Sequence, residues 1–146
     1  MADTMELPEI TQSMLAGSDE GPSAAHIATI FQRYAELFTA GDAEGIVALY
    51  TADAVVRDPV TGPGVQGRDA IRAWYQGAFD AMGRMDMQLE GMVRVAGRHG
   101  AAAFVVEAIN NGQRFRSDTL DVMVFDDDGL IVSMDAYWGP YNLRVL

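Results

Sequence analysis

The chain reads as an α+β domain, with helices laid over one face of a curved antiparallel sheet. Two observations predict this. Apolar residues recur at three- and four-residue steps as far as about residue 81, then at every second residue from 85 onward. The second-half segments are joined by Gly- and Asn-containing turns of hairpin type. Helices followed by a meander of strands form the α+β pattern.

Residues 1–23 mix acids, Ser, Gly and Pro with scattered Met and Leu, and 17–22 form a breaker cluster. This part is read as a flexible acidic tail, with one helical turn over 9–15. The folded domain is read as 24–146. From Ala24, the residues Ile27, Ile30, Phe31, Tyr34, Leu37 and Phe38 make one apolar helical stripe. Gly41 stops that helix, and Asp42 caps a second, short one through Tyr50. Residues 53–58 are β-branched and end in Asp-Pro, so they read as a strand leaving into a loop. A third helix is expected from Arg68 to Ala81. Strands are expected over 85–96, 101–109, 113–126 and 130–138. Their turns contain Gly97 and Gly100, then Asn110-Asn111-Gly112, then Gly129.

Composition removes several chemistries. With 49% hydrophobic and 21% charged residues over 146 positions, the chain can build one core. It has no Cys, and all ten basic residues are Arg. Thiolate nucleophiles, Schiff bases and a P-loop lysine are therefore excluded. His26 and His99 lack ligand spacing, so no metal and no cofactor are expected. The net charge of −11 argues against nucleic acid and anionic membranes as partners. No apolar run is long enough to span a bilayer, and the first residues lack a signal-peptide pattern, so a cytoplasmic protein is expected. Acid–base chemistry must then fall to carboxylates and tyrosines.

Three residues are candidates for that chemistry. Asp121 shares a strand face with Phe115, Thr119, Met123 and Phe125. A carboxyl there loses water, its charged form is penalised, and its neutral form can donate a hydrogen bond. A buried Asp paired with Arg or backbone N–H groups would give the same pattern. Asp58 ends a strand before Pro59, at the expected rim of a helix–sheet cavity, although Asp-Pro is also common turn chemistry. Tyr34 lies within the first helix's apolar stripe and needs a partner for its hydroxyl; Tyr50 and Tyr75 pose the same question.

These residues together resemble bacterial ketosteroid isomerases of the nuclear-transport-factor-2-like (cystatin-like, SnoaL-like) superfamily. The resemblance covers about residues 26–146. It rests on Gln32-Arg33-Tyr34, Val56-Arg57-Asp58-Pro59, Gly67-Arg68-Asp69-Ala70-Ile71, Leu120-Asp121-Val122-Met123 and Ala136-Tyr137-Trp138. It implies a cone-shaped sheet covered by three helices and a homodimer formed through the sheet. It also implies a steroid Δ-isomerase: Asp58 as proton shuttle, Tyr34 and protonated Asp121 as the oxyanion hole, and Tyr75 and Tyr50 as a supporting network. Phe104, Val106, Met134 and Trp138 would line the slot for a steroid-like apolar substrate. Arg57 beside the base is a departure, since a cation there would lower its basicity. Other enzymes of this fold, polyketide cyclases and epoxide hydrolases, and non-catalytic binding or dimerisation modules remain alternatives.

Overall fold

The computed structural model of the protein describes residues 6–146. The order is α1 (Glu9–Met14), α2 (Ala24–Ala40), α3 (Ala43–Val47), β1 (Tyr50–Arg57), β2 (Val65–Gln66), α4 (Arg68–Met82), β3 (Met85–Ala96), β4 (His99–Asn110), β5 (Gln113–Phe125), β6 (Ile131–Tyr137), a 3₁₀ turn (Pro140–Asn142) and β7 (Leu143–Val145). The strands form one sheet in the order β2-β1-β6-β5-β4-β3. β7 pairs with β5 at Phe115–Ser117, and β6 pairs with it further along at Leu120–Phe125.

Local chemistry sets the helix boundaries. The Ser23 hydroxyl accepts the His26 N–H at the start of α2, and Gly41 ends it in the left-handed conformation at φ +67°. The Asp42 carboxylate accepts the Gly45 N–H at 2.8 Å and starts α3. The Arg68 guanidinium donates to the Tyr50 carbonyl at 2.7 and 3.0 Å, tying the start of α4 to the start of β1. Gly91, at φ +76°, sits in a register shift of β3 between Glu90 and Arg94, which bends that strand. Ile27, Phe31 and Tyr34 of α2 and Ile71 and Tyr75 of α4 meet Phe104, Met123, Phe125, Ile131 and Met134 of the sheet in one core.

Several features go beyond the elements expected from sequence, the short strands β2 and β7 among them. The sheet is mixed, because β1 runs parallel to β6 with Val56 opposite Met134. The long connection through α4 and four strands permits that direction, and alternation within a strand carries no sign of it. α3 stops at Val47, and Tyr50 opens β1 instead of closing a helix. The tail also touches the domain: the Gly17 carbonyl oxygen lies 2.8 Å from where a Cβ on Gly97 would stand. The helical turn expected over 9–15 is present as α1. The part of the tail reading that concerns residues 1–5 falls outside the described residues. Among those described, no helix is long and apolar enough to cross a membrane.

Candidate active site

A cavity of about 480 Å³ lies between α4 and the sheet. That volume falls within the roughly 300–1,000 Å³ typical of small-molecule sites. α4 presents two parallel stripes. Ile71, Tyr75 and Phe79 enter the core, whereas Trp74, Ala78 and Met82, again four residues apart, face the cavity. The period of two in β5 aims Phe115, Ser117, Thr119 and Asp121 into the same space. Met85 and Met87 of β3 and Val106 of β4 extend the wall, and Trp138 and Leu143 approach from the C-terminal segment. The surface is almost wholly apolar. Among the described residues, Asp58 and Asp121 are the acids that line it.

Asp121 is 2% exposed. Its Oδ1 accepts the Thr119 hydroxyl at 3.1 Å. Burial pushes its pKa well above the ordinary carboxylate range, the charge of Asp58 adds to that, and the Thr119 bond opposes it. Asp58 follows the last residue of β1 and is half-buried. Burial raises its pKa too, and the hydrogen bond donated by Trp138 Nε1 pulls it back down. Among the described residues neither acid joins an ion pair. Arg57 points the other way. Its guanidinium forms a bidentate pair with Asp135, its register partner on β6, through two bonds of 2.7 Å.

Three tyrosines from three elements meet behind the cavity wall. Tyr34 Oη lies 2.9 Å from Tyr75 Oη, and Tyr50 Oη lies 3.0 Å from the same atom. All three are fully buried. Burial raises each pKa, and the charges of Asp121 and Asp58 raise that of Tyr34 further. Three hydroxyls carry three protons, and two bonds among them use two. When Tyr50 donates to Tyr75 and Tyr75 to Tyr34, the Tyr34 O–H is left to donate elsewhere.

Among the residues expected to contact substrate, Val106 and Trp138 line the cavity, whereas Phe104 and Met134 are fully buried in the core. Phe104 shares a strand face with Val106, but α2 covers it: the rings of Phe31 and Tyr34 lie 6.2 and 6.1 Å from its own. Alternation identifies a face and not which part of that face a helix seals. Tyr34 itself does not line the cavity; its ring lies 6.1 Å from that of Phe38, which does. The Trp74–Ala78–Met82 stripe, Phe38, Met85 and Met87 also line the cavity, a role the sequence pattern does not assign them. The four-residue spacing along α4 was the available signal.

An apolar cavity holding two acids outside any ion pair among the described residues, set between a helix and a bent sheet, defines a small-molecule site of the SnoaL-like class. Residues 31–134 match the SnoaL-like domain family, and the chain belongs to it. A Steroid Delta-isomerase from Nocardioides simplex is 37% identical over 122 residues, spanning 84% of this chain and 97% of that one. The solved structure of SalBIII, an epoxide hydrolase/cyclase-like enzyme of pyran ring formation in polyether salinomycin, superposes with a TM-score of 0.73. It is 27% identical and covers 81% of this chain and 94% of its own.

Proposed function

We propose that the protein is a steroid Δ-isomerase that moves the double bond of a Δ5-3-ketosteroid to the conjugated Δ4 position. The observation that carries this reading is that Asp58 and Asp121 line one apolar cavity, neither in an ion pair among the described residues. Two acids so placed cannot both ionise at little cost. Asp121, more deeply buried, keeps its proton. Asp58, steadied by Trp138, ionises.

Ionised Asp58 takes a proton from the carbon between ketone and alkene. The electrons move onto the carbonyl oxygen and give a dienolate. Neutral Asp121, on the cavity wall, donates a hydrogen bond to that oxygen; Tyr34, buried beside the lining residue Phe38, is the second donor and reaches it when the bound ligand opens that cover. Asp58 then returns the same proton two carbons along the conjugated system, so nothing is gained or lost. Donors fixed in a dry cavity stabilise the growing negative charge without solvent rearrangement. Tyr75 and Tyr50 hold the Tyr34 hydroxyl in its donating direction. The isomerase name of the Nocardioides relative supports this reading, and the apolar walls suit a fused-ring hydrocarbon.

The likeness to SalBIII favours a second reading, ring closure by the same lone acids. An Asp–Arg–Asp water-activating group is not its basis: Arg116 pairs with Asp118 at 3.0 Å, and neither residue lines the cavity. The enone product absorbs in the ultraviolet and separates the readings. Wild type should generate it rapidly, and Asp58→Asn should lose about 10²–10⁴-fold in rate, the range of general acid–base catalysis. Failure of the intact protein to form enone would favour the cyclase.

A further inference from the structure

A second pocket, of about 570 Å³, opens between the C-terminal ends of α2 and α4. Phe38 and Met85 line both this pocket and the main cavity. Each is 8% exposed. The two side chains are therefore a wall one residue thick between two hollows. Phe38 is braced, since its ring meets that of Phe79 edge-on at 5.2 Å and tilts against Tyr34 at 6.1 Å. Met85 is the more adaptable of the two. It is unbranched, with three rotatable bonds, and stands beside Met82 and Met87 in a methionine-lined stretch of the cavity. Such side chains change rotamer at little cost and mould to what they touch.

We infer that Met85 is a movable partition that sets ligand length: when it swings aside, the cavity joins the pocket beyond and admits an apolar extension of the ligand. The chemical class is a fused-ring ketone bearing an alkyl chain on the ring farthest from the carbonyl. Phe79 offers the chain an apolar surface past the partition. Glu36 and Arg84 at the outer rim leave its end toward water. This assignment of chain and ring rests on the isomerase reading, but the partition itself is a property of the cavity.

Both tryptophans, Trp74 and Trp138, line the main cavity, so their fluorescence reports binding without turnover. Two Δ4-3-ketosteroids serve as ligands, one without a side chain and one with a long branched alkyl chain. The quantity read is the ratio of their dissociation constants in wild type, Met85→Ala and Met85→Phe. Met85→Ala should shift the ratio toward the long ligand by about tenfold, the scale that added apolar space supplies. Met85→Phe should shift it the opposite way. The compact ligand shows in the same titration that each variant is folded. Ratios equal within twofold across the three proteins would overturn the partition. Absence of enone formation with these ratios shifted would overturn only the isomerase reading.

Discussion

The charge state of Asp58 is set by two opposed effects. Burial favours the protonated acid, and the Trp138 N–H favours the carboxylate. The base form is needed for proton abstraction, so kcat/KM should fall as pH drops through a pKa above the ordinary carboxylate value of about 4. Trp138→Phe removes the lowering contact and should move that acid limb to higher pH. A limb that stays in place or moves down would count against Asp58 as the base. Asp121 behaves in the opposite sense, because its proton must stay on; activity should therefore fall again as pH rises toward its raised pKa. Tyr34→Phe removes one donor to the oxyanion and should cost about 10²–10³-fold in kcat. Asp58 was legible as a strand-ending acid, Asp121 as an acid on an apolar face and Tyr34 as part of a helical stripe. The bonds that tie Tyr34 to Tyr75 and Tyr75 to Tyr50 follow from the family resemblance and not from any residue pattern, since they depend on how three separate elements cross.

At the level of elements, the approach of α2 to the sheet fixes where the core ends and the cavity begins. Gly100 of β4 makes that approach possible: a Cβ there would meet Phe31 Cε2 at 2.6 Å and Ile27 Cγ2 at 2.7 Å. Gly100→Ala should destabilise the fold by about 1–3 kcal/mol through overpacking, read as a lower denaturant midpoint. An unchanged midpoint would contradict the close contact. α2, α4 and the four long strands were legible because each repeats its period several times and is bounded by turn residues. β2 and β7, of two and three residues, repeat nothing and were invisible. β7 nevertheless matters, because pairing with β5 brings Leu143 to the cavity. The parallel direction of β1 was hidden because pairing is a long-range choice made by α4 and the strands between. Phe104 and Met134, substrate contacts by the resemblance, lie instead in the core that α2 seals against the sheet.

Over the whole molecule, the helices cover one face of the sheet, and the other carries Leu120, Val132 and Tyr137 at 42, 39 and 49% exposure. We expect a second copy of the chain to cover that face, and light scattering at micromolar concentration should give the mass of a dimer; a monomer would refute it. The net charge of −11 leaves the cavity's chemistry intact, because the acids counted there lie mainly on the surface while two are held in the apolar interior. The account depends on that interior keeping Asp121 neutral beside an ionised Asp58. Infrared spectroscopy at neutral pH tests this most directly. A protonated-carboxyl band should be present in wild type, persist in Asp58→Asn and vanish in Asp121→Asn. Absence of the band in wild type, or its loss in Asp58→Asn alone, would contradict the account.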